Sequence, residues 1–128
     1  MWKTASQVVA DHPFTGVGLG NYSLAVKPSA SYREPIYAHS LYLDIAAELG
    51  LPALLVFLTL ITHAGISLYR KSKEEPFLLY PFISLIVFFT HSLVETPLYS
   101  VHIFPLFLVI LAMSTFHTIQ STPIPSRV

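Results

Sequence analysis

The chain has 128 residues, 53% of them apolar and 11% charged, and its formal net charge is zero. That balance excludes a nucleic-acid-binding surface or a polybasic lipid anchor, and the length suits one structural unit. The absence of cysteine excludes disulfides and thiolate-ligated zinc or iron–sulfur centres.

The first residues, Met1 to Ser6, lack the apolar core of a signal peptide. Residues 3–11 predict a short amphipathic helix, with Ala5, Val8 and Val9 on one side and Lys3, Gln7 and Asp11 elsewhere; Pro13 ends it. Trp2 suits a membrane interface, where its ring sits in the apolar layer and its N–H in water. Gly16-Val17-Gly18-Leu19-Gly20-Asn21 reads as turns, and Lys27 to Tyr37, with Pro28 and Pro35, as an irregular loop. A second short helix is predicted from about Ser40 to Leu49, stopped by Gly50, and Pro52 fits the first turn of the helix after it.

Three apolar runs follow: Leu51 to Tyr69, Phe77 to Val94 and Val101 to Ile119. A helix through about 18 residues rises roughly 28 Å, close to the ~30 Å hydrocarbon thickness of a bilayer. The predicted fold class is therefore all-α: a polytopic membrane protein fragment with three transmembrane helices, preceded by an extracytoplasmic loop carrying short helices. Its parts are the loop region 1–50, the transmembrane region 51–119 and a disordered tail 120–128, and the whole reads as the C-terminal part of a larger protein. Arg70, Lys71 and Lys73 between the first two spans, against no basic residue in Glu95 to Ser100, put the first loop and the tail in the cytoplasm. Residues 1–50 and the Glu95–Ser100 turn are then extracytoplasmic. Lys27 and Arg33 also lie there, but two charges in a long loop weigh less than three in a tight one.

The outer side thus collects His12, Tyr37, His39, Tyr42, Asp44, Glu48, His91, Glu95 and His102. His39 stands out because it starts a helix just ahead of a membrane entry. The positive end of a helix macrodipole disfavours imidazolium, and a neutral imidazole is what a general base for a hydroxyl requires. The plainer alternative is a helix cap in the headgroup layer. Glu48 lies about 180° round a regular helix from His39, so it is not expected to hold that ring; with Ser40 and Asp44 it forms a stripe that reads as a wetted face. His91 and Glu95, four apart, either pin one helix to its neighbours or touch substrate. His63 and His117 read as helix–helix hydrogen-bonding groups. No His-Glu-x-x-His is present, and the glycine run has neither a preceding strand nor a following Gly-Lys-Ser/Thr, so neither a metal site nor a nucleotide loop is expected. Turn geometry after Pro13 accounts for those glycines.

The order of features resembles the O-antigen ligase/polymerase family. It is carried by Trp2, Ala5, Asp11-His12-Pro13, Gly16 to Tyr22, Ala38-His39-Ser40, Leu43, Glu48 and Leu49 to Leu55, with a later His91-Ser92-Leu93-Val94-Glu95. The resemblance covers about residues 2–115. It implies a glycosyltransferase of the bacterial inner membrane, multi-pass, with residues 1–50 periplasmic. Such enzymes take a glycan from undecaprenyl diphosphate and pass it to a glycolipid, a growing glycan or a protein hydroxyl, without a cofactor. The family's loop histidine maps onto His39, the catalytic candidate. Arg33, Tyr37, Glu48, His91 and Glu95 are the substrate-binding candidates. Family members grip the diphosphate with arginines; one commonly precedes the tryptophan matching Trp2, where this chain begins, and Arg33 matches no family position. Ser40 stands where asparagine is frequent. The chain alone is expected to be inactive. The rival readings are a fragment of a lipid-linked glycan transporter and a small non-catalytic membrane subunit. Spans holding histidines but no lysine, arginine or aspartate disfavour the first.

Overall fold

The computed structural model describes residues 1–29 and 36–115. Every regular element among them is helical: α1 (Trp2–Asp11), α2 (Tyr22–Val26), α3 (Leu41–Lys71), α4 (Leu79–His91) and α5 (Ile103–Thr115), with 3-10 turns at Pro76–Leu78 and Pro97–Tyr99. The all-α class holds. The predicted tail, with His117, and the stretch containing Arg33 lie outside the described residues.

α3 is two helices joined at Gly50, whose φ of 85° and ψ of 170° break the helical path. The break frees backbone groups, and the loop after α1 takes them up. In a regular helix the Ala47 carbonyl would accept from residue 51 and the Glu48 carbonyl from residue 52, but Pro52 has no N–H. Here the Val17 N–H donates to Ala47 C=O at 2.9 Å and the Gly18 N–H to Glu48 C=O at 2.9 Å, while the Leu51 N–H turns to Pro13 C=O at 2.8 Å. Such close approach of two backbones leaves no room for side chains. A Cβ on Gly16 would overlap the Glu48 carbonyl, and one on Gly50 would overlap the Phe14 carbonyl. Both glycines also have positive φ, at 61° and 85°. They are therefore contact glycines as well as turn glycines, a role that spacing alone did not assign.

The stretch 51–71 rises about 31 Å at 1.5 Å per residue, and α3 is the one described helix long and apolar enough to cross a membrane. The second predicted span is shorter than expected: α4 has 13 residues, about 20 Å. α4 stops at His91 because the chain turns there, with the N–H groups of Val94 and Glu95 both returning to His91 C=O. α5 starts two residues late, after a turn through Val101 and His102, and is described only to Thr115. Ile61, Ala64 and Leu68, three or four apart on α3, meet Leu85 of α4 and Phe107 of α5 in the bundle core. Phe88 and Phe107 stack there at 4.8 Å. Leu55, Val56, Ile83, Val87, Leu106 and Val109 face outward, an apolar surface that suits lipid rather than water. At the far end, Lys71 Nζ and Ser67 Oγ both donate to Ser114 C=O, at 2.7 and 2.6 Å.

A second, smaller core lies at the other end of the bundle, where Ala5, Tyr22, Ala38 and Ala47 are buried together with Val8, Val9 and Leu43 packed around them. The predicted apolar face of α1 is the one that turns inward. α2 was not anticipated, because five residues are too few to show a period. Ser23 Oγ, on α2, accepts the Ile36 N–H at 2.7 Å and so ties this short helix to the strap 36–40 that leads into α3.

Candidate functional site

The strap 36–40, the first two turns of α3 and the turn between α4 and α5 converge at this end of the bundle. Tyr37 meets Tyr99 with ring centroids 5.3 Å apart. His39 Nδ1 lies 3.8 Å from Glu95 Oε2, and both side chains are about half exposed. The Leu41 N–H donates to Ser92 C=O at 3.0 Å and to Glu95 C=O at 3.1 Å, which fixes the strap to the end of α4.

His39 has a φ of 55°, the one non-glycine residue among those described with positive φ. Such a backbone costs a histidine on the order of 1–3 kcal/mol and persists only where its surroundings over-determine it. Three contacts do so. The Trp2 indole N–H donates to His39 C=O at 3.4 Å, the Ala38 N–H donates to Asp44 Oδ1 at 2.8 Å, and the Asp44 N–H donates to Ser40 C=O at 2.9 Å. Ser40 is the N-cap of α3, but its hydroxyl makes no capping bond.

The expected wetted face of Asp44 and Glu48 is a correction: the two residues are 1% and 8% exposed. The loop after α1 and α2 covers the side of the helix that periodicity alone would leave to solvent. Burial pushes the Asp44 carboxyl up to about 6, with the Ala38 N–H pulling it down, Glu48 pushing it up and His39 pulling it down. Its second oxygen, Oδ2, is buried with no hydrogen-bond partner among the described residues. Glu48 accepts a hydrogen bond from the Tyr99 hydroxyl at 3.3 Å. Burial of that hydroxyl end, then the charges of Glu48 and Asp44, raise the Tyr99 phenol above its ordinary range, although the residue as a whole stays half exposed. Tyr22, also buried, is raised by burial and by Asp44.

Of the expected residues, Tyr37, His39, Asp44, Glu48 and Glu95 come together, and the His39 ring is faced by Glu95 rather than Glu48. His91 does not join them; it ends α4 with an exposed side chain. Tyr42 turns into the bundle, where its hydroxyl donates to Phe89 C=O at 2.9 Å. His12 and His102 are exposed. Two contributors went unforeseen, namely Trp2 through its indole and Tyr99. Tyr99 sits in the one outer turn of the bundle, which was its only signal in the sequence. Among the described residues no three His, Asp or Glu side chains are grouped so as to hold a metal ion.

Residues 1–58 match the sequence model of a family described as O-antigen ligase. This part of the chain is similar to that family. The matched O-antigen ligase segment runs from α1 through the glycine loop, the His39 strap and the Gly50 break into α3, so it contains the whole outer unit except the Glu95–Tyr99 turn. No curated protein and no solved structure matches the chain.

Proposed function

We propose that this chain is part of a membrane glycosyltransferase of the O-antigen ligase type, working at the extracytoplasmic face of a bacterial inner membrane. Its donor is a glycan on undecaprenyl diphosphate and its acceptor is a hydroxyl of a glycolipid, a glycan or a protein. His39 is the general base. The acceptor oxygen attacks the anomeric carbon, the bond from that carbon to the diphosphate breaks, and the carrier leaves with its diphosphate. The acceptor proton passes to His39 Nε2. Glu95 faces Nδ1, which favours the tautomer with its N–H there and leaves Nε2 to accept. At 3.8 Å the carboxylate acts through its charge rather than a direct hydrogen bond, stabilising the imidazolium that forms. The Tyr37–Tyr99 pair next to it offers aromatic faces to a sugar, and Arg33, in the same loop, is a donor for the diphosphate.

The observation that carries this reading is His39 itself, held in a left-handed backbone beside a carboxylate within the segment similar to the ligases. Strain of this kind clusters where a side chain must be aimed. In this reading His39, ahead of a 51–71 stretch long enough for a bilayer, lies near the depth of a polyprenyl carrier's headgroup.

Transfer of a labelled glycan in membranes holding the protein tests it. His39→Ala should lower the rate at least ~100-fold, the usual range for a general base, with membrane levels unchanged. Glu95→Gln should lower it about tenfold. Near-normal transfer by His39→Ala refutes the assignment.

A further inference from the structure

We infer that Asp44 is the positioning residue for His39, clamping the backbone on both sides of it; the inference rests on the His39 reading given above. Asp44 belongs to the first turns of α3, and its own N–H makes the bond to Ser40 C=O that opens the helix. Its carboxylate reaches back past the N-cap to the Ala38 N–H. The residue before His39 and the residue after it are therefore both held by Asp44, Ala38 through a side-chain bond and Ser40 through a main-chain bond. A helix normally satisfies its first N–H groups from the N-cap side chain. Here the Ser40 hydroxyl is not used in that way, and the carboxylate four residues on reaches out of the helix instead.

The arrangement is expensive. A carboxylate that is 1% exposed, with one oxygen lacking any partner among the described residues, lies beside a second buried acid, Glu48. Burying a charge in this way costs several kcal/mol unless it is well paired. A helix start needing only a cap would be served as well by Ser40. What the carboxylate adds is a fixed φ at residue 39, and with it the direction of the imidazole toward Glu95. The other outward contact of that peptide, the Trp2 indole at 3.4 Å, is long and comes from an exposed side chain, so it cannot hold the geometry alone.

The absence of cysteine allows a direct test. A His39→Cys, Glu95→Cys pair is treated in membranes with a short bifunctional thiol reagent, in backgrounds carrying Asp44, Asp44→Asn or Asp44→Ala. Asparagine keeps an acceptor for the Ala38 N–H and alanine does not. Cross-linking should fall at least fivefold with Asp44→Ala and recover with Asp44→Asn. A Ser67→Cys, Ser114→Cys pair at the far end of the bundle, where the two residues already touch, reports folding and should react equally in all three. In the His39 protein, Asp44→Ala should lower kcat for transfer with little change in KM, and Asp44→Asn should restore most of it. Unchanged His39–Glu95 cross-linking in Asp44→Ala overturns the inference. So does an equal loss with Asp44→Asn while the far pair stays reactive. Near-normal transfer by His39→Ala, by contrast, removes the base assignment while the cross-linking still decides what Asp44 does.

Discussion

Replacing Gly16 with alanine probes the contact on which the outer unit depends. Two costs arise, and they can be separated. The first is conformational: at a φ of 61° alanine loses on the order of 1–2 kcal/mol relative to glycine. The second is steric. The new Cβ would overlap the Glu48 carbonyl and crowd the Leu49 amide, which are backbone atoms of a helix and cannot rotate aside. The loop must lift, and the Val17–Ala47 and Gly18–Glu48 hydrogen bonds go with it. Ala47 and Glu48 are buried, so each stranded carbonyl costs about 1–3 kcal/mol, which with the conformational cost comes to about 3–8 kcal/mol. Gly20→Ala is the control, since its φ of 75° carries the same conformational cost but nothing lies within 4 Å of its Cβ. Trp2 is the one tryptophan of the chain and belongs to this unit, so its fluorescence during denaturation in mixed micelles reads the stability directly. Gly16→Ala should lose at least ~2 kcal/mol more than Gly20→Ala. Equal losses would refute the close-approach reasoning.

The Asp44 carboxyl, raised by burial to about 6 from its ordinary value of 3.8, binds its proton more tightly folded than unfolded. Its contribution is therefore most favourable below about pH 4 and is lost as pH rises through about 6, a swing of about 3 kcal/mol. Hydrogen exchange at the Ala38 amide, corrected for intrinsic rate, should show weaker protection at pH 7.5 than at pH 4.5; Asp44→Asn should flatten that dependence, which otherwise draws on Glu48, His39, Tyr22 and Tyr99 nearby. In the bundle core, Phe107→Ala removes a residue 5% exposed and stacked on Phe88. It should cost about 3 kcal/mol, the lower end of the range for a buried aromatic because lipid replaces part of the lost apolar environment; an unfolding titration that shifts by less than ~1 kcal/mol would count against that packing.

Much of the local structure was legible because it follows from short-range rules. Ala5, Val8 and Val9 mark the inner face of α1, Gly50 stops one helix, and Pro52 opens the next, each as chain stereochemistry dictates. The exposure of Asp44 and Glu48 was misread because their burial comes from residues 13–18 and from α2, thirty positions away in sequence. No periodicity within a helix can reveal what another segment lays over it. The partner of His39 was not legible from helix geometry, because the 180° argument assumed a regular helix and His39 lies ahead of α3 with a left-handed backbone. Identifying Glu95 instead required knowing that the end of α4 returns beside the start of α3. The end of α4 and the start of α5 were misplaced for a related reason, since an apolar composition continues through turns that are set by backbone bonds.

The glycine loop and the strained histidine are parts of one device. Gly50 and Pro52 break α3 and release two carbonyls; the Gly16–Gly18 loop satisfies them and thereby anchors α1 against the helix. α1 carries Trp2, whose indole reaches His39 C=O, while the helix turn above the break carries Asp44, which holds the residues on either side, Ala38 and Ser40. Breaking the loop contact at Gly16 should therefore loosen residue 39 without touching it. Gly16→Ala is then expected to reduce His39–Glu95 cross-linking as well as stability, whereas Gly20→Ala, with no contact to lose, should leave it intact. A Gly16→Ala protein that is destabilised yet cross-links normally would show that the loop supports the fold and not the aim of the histidine.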